Sequence, residues 1–168
     1  MKELLFVSGN AHKVEEVQHF LQGIVHVKGL KDVGLTGDIE ETATTLEGNA
    51  ALKARFAWDR LHIPCFADDT GLEVAALHGA PGVYSARYAS PKSDAVANRL
   101  KLLTEMDGHV DRTAAFHTVI CLVLGGTEYF FHGRIEGTIQ REERGQQGFG
   151  YDSLFVPNVA SRTFAEMS

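Results

Sequence analysis

Several short clusters in this chain combine residue types that can handle phosphate, metal and proton. Ser8-Gly9-Asn10-Ala11-His12-Lys13 leaves an apolar run and opens a helical pattern with a lysine in its first turn. Backbone N–H groups at a helix start, joined by an ammonium, suit a phosphate. The spacing is not that of a Walker A loop, and the same residues also make an ordinary helix cap followed by a solvated lysine. Asp68-Asp69 closes a second apolar run, at the strand end where open α/β sheets place their binding crevices. Adjacent carboxylates repel, so the pair is easiest to keep beside a cation or with one member protonated. Hard oxygen ligands suit magnesium, and a carboxylate at its edge can take a proton from an attacking water. A polar turn with solvated acids is the competing explanation.

Lys53 lies in a stretch otherwise rich in alanine and aromatic residues, where a snorkelling surface lysine is the default. Glu40-Glu41 reads as loop charge. In Gly145-Gln146-Gln147-Gly148-Phe149-Gly150-Tyr151-Asp152 the glycines let backbone approach a ligand and an aromatic ring offers a base a stacking surface; a structural Gly-aromatic turn is the alternative. The eight histidines show no metal-ligand spacing, and His117 reads as a satisfied core residue. There is no G-x-S-x-G and no Cys/His nucleophile pattern, which disfavours covalent catalysis. Pattern alone therefore points to a nucleotide-phosphate and divalent-metal site assembled from separated loops.

The elements that must position these clusters read as mixed α/β. Strands are expected at Lys2–Ser8, Ile63–Ala67, Thr113–Leu124, Thr127–Ile139 and Ser153–Val156. Thr113–Leu124 is apolar on both alternating faces, as a central strand should be, and Gly125-Gly126 turns it into an antiparallel partner. Asp68-Asp69-Thr70-Gly71 reads as a turn, Leu72–Leu77 as strand or helix, and Gly79-Ala80-Pro81-Gly82 as loop. One helix carries Val14, Val17, Phe20 and Leu21 inward. A second spans Asn49–Leu61, with Asn49 as N-cap and Ala50, Ala54, Ala57, Trp58 and Leu61 on its apolar face. A third spans Asp94–Met106, with Val96, Leu100 and Leu103 inward.

A length of 168 residues with 44% hydrophobic and 23% charged residues fits one globular domain with a full core. Cys65 and Cys121, each inside an apolar run, read as buried reduced thiols and point to a reducing compartment. A net charge of −6 argues against duplex nucleic acid, though not against one small anion held locally. With no apolar run of membrane-span length and no signal-peptide layout at Met1-Lys2-Glu3-Leu4-Leu5, the expected location is cytoplasmic.

In this order the clusters resemble the Ham1 family of inosine/xanthosine triphosphate pyrophosphatases. The resemblance runs through Ser8–Lys13 with Glu16, Glu41-Thr42, Asn49-Ala50 with Lys53-Ala54, Ala67–Leu72, Gly79–Tyr88 and Gly148–Asp152. It implies an elongated mixed sheet flanked by helices, with two lobes around a central cleft (Ham1/Maf-like), and a homodimer. The implied reaction is magnesium-dependent hydrolysis of deaminated purine nucleoside triphosphates (ITP, dITP, XTP) to monophosphate and pyrophosphate, which removes them from the nucleotide pool. Asp69 matches the family's proton acceptor and also lies at the metal; Glu41 and Asp68 match acidic positions associated with magnesium. Ser8, Gly9, Asn10, Ala11, His12, Lys13 and Lys53 would hold the triphosphate with Thr70 beside it. Phe149, Gly150, Tyr151 and Asp152 would face the base.

The chain departs from the family pattern at Thr70, where serine is usual, at Ser153, where proline is usual, and at Gly48, where an acid is common. After Thr163-Phe164-Ala165-Glu166-Met167-Ser168 the family continues with a lysine, a Ser-His-Arg motif that contacts the purine, and a final helix. The expectation is a C-terminally truncated enzyme. The alternatives are a related pyrophosphatase for other modified nucleotides and a nucleotide-binding protein without turnover.

Overall fold

A computed structural model describes residues 2–37 and 39–167; Met1, Asp38 and Ser168, and with them the expectations about the two chain ends, lie outside the described residues. The elements are β1 (Glu3–Phe6), α1 (Ala11–Phe20), β2 (His26–Lys28), α2 (Leu46–Leu61), β3 (Cys65–Val74), β4 (Pro81–Gly82), α3 (Ala95–Glu105), β5 (Thr113–Leu124), β6 (Thr127–Ile139) and β7 (Phe155–Pro157). The strands form one sheet of order β2-β1-β3-β5-β6-β7, with β4 paired to β3. β1 runs parallel to β2 and β3, while β4 is antiparallel to β3 and β7 to β6, so the sheet is mixed. No described helix is long and apolar enough to cross a membrane.

The chain divides into two compact units, Met1–Asp69 with Val119–His132, and Thr70–Thr118 with Gly133–Ser168. In the first, Phe6 and Phe66 stack with centroids 4.6 Å apart, a geometry worth about 1 kcal/mol beyond the area it buries. Val14 and Val17 of α1 and its capping residue Leu21 pack against them together with Val27. Phe20, expected on that face, is 82% exposed: it lies one residue short of the stripe that ends at Leu21. The alanine stripe of α2 is buried at Ala50, Ala54 and Ala57, with Trp58 and Leu61 half-buried. This small-residue face lets the Cys65 thiol of β3 reach the carbonyl of Ala54 at 3.3 Å. Both cysteines are buried and unpaired.

In the second unit, Leu72, Val74, Leu102, Met106, Ala114, Ile139, Tyr151, Leu154 and Phe155 form the core. Helix α3 packs Leu103 against it as expected, but the rest of the inward face differs from the expected one. Val96 and Leu100 are 65% and 66% exposed, whereas Asn98, Leu102 and Met106 are buried. Both stripes have helical spacing; the buried asparagine, which satisfies three backbone groups, decides between them. His117 is half-buried, with Nδ1 3.3 Å from Glu73.

Two further expectations are corrected. Asp68-Asp69-Thr70-Gly71 is no turn but the middle of β3, because tertiary partners satisfy its polar side chains where they stand. Pro81-Gly82 is no plain loop but a short strand in register with Leu72 and Glu73. The hairpin at Gly125-Gly126 forms as expected.

Candidate active site

Within the first unit, the turn that leaves β1 is held by its own side chains. Asn10 caps α1, its Oδ1 accepting from the backbone N–H of His12 at 3.0 Å and of Lys13 at 3.4 Å. Ser8 Oγ accepts in turn from the Asn10 N–H at 3.2 Å. Three of the donors expected to be open to an anion, the N–H groups of Asn10, His12 and Lys13, are thus engaged within the turn, two of them by Asn10. Lys13, the third residue of α1, pairs with Asp68 Oδ2 at 2.5 Å.

Helix α2 brings the second lysine. Its N-cap is Thr45, whose hydroxyl accepts from the Gly48 N–H at 3.0 Å, and not Asn49 as expected. The stripe Leu46, Ala50, Ala54, Ala57 already contains the extra turn. Gly48 is required there by close approach: a Cβ on it would stand 2.7 Å from the Cβ of Ala43.

The Lys53 side chain is only 12% exposed and lies 2.6 Å from Glu41 Oε1 and 3.5 Å from Asp69 Oδ1. It is thus no surface lysine. Burial works against its ammonium, yet the neighbouring Asp69 and Glu41 carboxylates outweigh burial and hold its pKa above the ordinary lysine value. Asp69 moves upward as well. Burial, reinforced by the charge of Glu41, raises it, and Lys53, Asn49 and Lys13 pull back only in part. The two shifts are compatible because the lysine meets two acids while Asp69 meets one close lysine and a like charge.

Three carboxylates, Glu41, Asp68 and Asp69, are therefore gathered with two lysines in the first unit. Their oxygens are the donors a hard divalent cation takes. Among the described residues no three His, Cys, Asp or Glu side chains form a ready-made metal cluster. The donor chemistry fits magnesium in the form that ion prefers, held through one or two carboxylates plus substrate phosphate oxygens and water.

Within the second unit, Thr70 Oγ1 lies 2.9 Å from Thr118 Oγ1. The Gly-aromatic segment is a tight turn closed by Asp152, whose Oδ2 accepts from the Phe149 N–H at 2.9 Å. Gly148 sits at a φ of +73°, and a Cβ there would fall 2.2 Å from that same carboxylate oxygen. Phe149 is exposed on the turn, whereas Tyr151 is only 4% exposed and its hydroxyl donates to the Ser85 carbonyl at 2.8 Å. Gly150 supplies its carbonyl to Arg99 at 3.0 Å.

Sequence patterns pass over the residues that hold these parts in place. Asn49 donates to Asp69, while Asn98 and Arg99 of α3 anchor the 85–89 segment and the Gly-aromatic turn. Buried asparagines on a helix face that is otherwise apolar are the signal that could have found them.

The chain is similar to known proteins along nearly its whole length. The profile of the Ham1 family matches residues 4–168. A dITP/XTP pyrophosphatase of Porphyromonas gingivalis is 51% identical over 168 residues, covering 99% of this chain and 87% of that one. Another from Flavobacterium psychrophilum is 46% identical over 166 residues, with coverages of 99% and 87%. Among solved structures, a HAM1 protein from Coxiella burnetii matches with a TM-score of 0.90 at 38% identity, covering 100% of this chain and 88% of that one. The Staphylococcus aureus Ham1 protein matches with a TM-score of 0.87, also at 38% identity, covering 99% and 87%. The matches extend over nearly the whole chain, and the chain belongs to the Ham1 family.

Proposed function

We propose that this protein hydrolyses deaminated purine nucleoside triphosphates, ITP, dITP and XTP, to the monophosphate and pyrophosphate. The observation that carries the reading is the 51% identity to a dITP/XTP pyrophosphatase across 99% of the chain. The buried Lys53 between Glu41 and Asp69 supplies chemistry suited to it.

Ser8, Gly9, Asn10, Ala11, His12 and Lys13, with Lys53 and Thr70, bind the triphosphate. Their polar groups and two ammonium charges offset charge that builds on the phosphate oxygens. Glu41, Asp68 and Asp69 are the carboxylates that would hold Mg2+, one or two of them at a time together with phosphate oxygens and water, and the ion would supply positive charge against those same oxygens. Asp69 accepts the proton of the attacking water. The water oxygen forms a bond to the α-phosphorus, the bond from that phosphorus to the bridging oxygen breaks, and pyrophosphate leaves with the electron pair. Phe149 stacks on the base and Asp152 hydrogen-bonds to it, with Gly150 and Tyr151 shaping the turn. A two-lobed form with a central cleft, a single functional domain, a homodimer and a cytoplasmic location are parts of the same proposal and rest on family resemblance.

The test is product analysis with magnesium across ITP, dITP, XTP, ATP, GTP and pyrimidine triphosphates. Pyrophosphate from the first three, at least about tenfold faster than from ATP, is the expected result. Orthophosphate as product, or nucleotide binding without turnover, rejects the reading. Preference for a pyrimidine or another modified nucleotide moves the substrate class.

A further inference from the structure

We propose that Asn49 is the positioning residue that aims the Asp69 carboxylate and ties it to the segment carrying Glu41. Asn49 is completely buried on α2. Its Nδ2 donates to Asp69 Oδ2 at 3.1 Å, and its Oδ1 accepts from the Ala43 N–H at 2.9 Å. The amide orientation follows from the partners, since a backbone N–H needs an oxygen and a carboxylate needs a donor.

The two oxygens of Asp69 are thereby told apart. Oδ2 is fixed by the neutral amide, whereas Oδ1 faces Lys53 at 3.5 Å. A neutral donor orients a carboxylate without cancelling its charge. Ala43 lies two residues beyond Glu41, which meets the same Lys53 at 2.6 Å, and Lys53 follows Asn49 by four residues on the helix. Glu41, Lys53, Asp69, Asn49 and Ala43 therefore close a ring within the first unit. Neither an aliphatic residue nor a carboxylate at position 49 could serve both neighbours.

This role rests on the reading of Asp69 as proton acceptor, and the experiment separates the two. Asn49→Asp keeps an acceptor for Ala43 but sets a second carboxylate against Asp69. Asn49→Ala, Asp69→Asn and the double variant Asn49→Asp/Asp69→Asn complete the set. Melting is measured without nucleotide or metal, and kcat and KM for ITP with magnesium.

The expected result has three parts. The kcat of Asn49→Asp falls at least about tenfold, with KM within about threefold, because misdirecting a general base removes part of its contribution. Its melting temperature drops. The double variant, which again faces an amide with a carboxylate and carries the native charge, melts higher than Asn49→Asp while remaining without turnover. If Asn49 served only to hold the helix start, Asn49→Asp would turn over normally and only Asn49→Ala would suffer. Native kcat in Asn49→Asp beside an inactive Asp69→Asn overturns the positioning role alone, as do additive melting shifts in the double variant. Full turnover by Asp69→Asn overturns the reading of Asp69 and this role with it.

Discussion

Lys53 and Glu41 form an ion pair of 2.6 Å that ties α2 to the segment preceding it, and the same ammonium lies 3.5 Å from Asp69. Removing the lysine leaves two carboxylates facing each other with little water between them. Because the Glu41 side chain keeps 25% of its surface exposed, Lys53→Met should lower stability by about 2 kcal/mol, less than breaking a fully buried pair from one side. Urea unfolding checks this, and Glu41→Gln in the same chain should recover part of the loss. Turnover stays abolished in both, since the phosphate loses its ammonium; an unchanged urea midpoint for Lys53→Met would show that the pair is solvated.

The close approach at Gly48 makes an opposite-sign test of helix propensity. Replacing a glycine within a helix by alanine ordinarily gains about 0.5–1 kcal/mol. Here the added methyl meets the Cβ of Ala43 at 2.7 Å and the Thr45 hydroxyl at 3.0 Å. Overpacking costs about 1–3 kcal/mol, so Gly48→Ala should destabilise on balance. It should also reduce kcat, because the displaced segment carries Glu41. Thermal melting and initial rates measure both, and a rise in melting temperature would show that the segment yields freely.

The order of strands and helices was legible because periodicity and turn chemistry act locally. Thr113–Leu124 with its Gly125-Gly126 hairpin forms as its pattern indicates. The failures occur where a polar residue finds a tertiary partner. Asp68-Asp69-Thr70-Gly71 has turn composition, yet Lys13, Asn49, Lys53 and Thr118 satisfy its side chains inside a strand. Asn98 lies off the expected stripe of α3, yet its amide serves three backbone groups, and Leu102 and Met106 face inward beside Leu103 while Val96 and Leu100 stay exposed. Asn49 reads as a cap because asparagine caps helices, and only Leu46 betrays that the helix has already begun. Residue types at the candidate site were visible; which acid meets which lysine depends on contacts 12 to 55 positions apart.

Arg99 holds the Gly-aromatic turn from α3, donating to the Gly150 carbonyl at 3.0 Å and to Glu143 at 2.9 Å. Glu143 also accepts from the Ser153 hydroxyl at 2.9 Å. Arg99→Leu should leave the first unit untouched and loosen this turn. The expected signature is faster amide exchange confined to residues 145–153 and a KM for ITP raised about tenfold. A lower kcat at constant KM would instead place Arg99 with the reacting phosphate.

The same clamp carries a pH dependence. Burial pushes Glu143 upward, but the hydrogen bonds from Arg99 and Ser153 outweigh it and hold the carboxyl below its ordinary value. A carboxylate depressed by folding contributes stability that is present above its unfolded pKa and is lost as pH falls through the folded one. Exchange protection at residues 145–153 should therefore be constant from neutral pH down to the ordinary glutamate range and decline below it. In Glu143→Gln that decline should vanish; if it persists, another group governs the turn.

Both thiols lie in the first unit, and burial pushes Cys65 and Cys121 up to about 11. Because the thiolate is the reactive form, at pH 8 only about one molecule in a thousand presents it at either position. Even that fraction is covered, since both side chains are buried and Cys65 is donated to the Ala54 carbonyl. The native protein should therefore react with Ellman's reagent only as fast as the first unit opens, with two thiols appearing at once in urea. Lys53→Met, by destabilising that unit, should speed the native reaction in proportion to its loss of stability, if opening precedes modification. Rapid titration of either thiol in the folded protein would contradict its burial, and a rate indifferent to Lys53→Met would mean that the cysteines are reached by a local motion that leaves the lysine and its carboxylates in place.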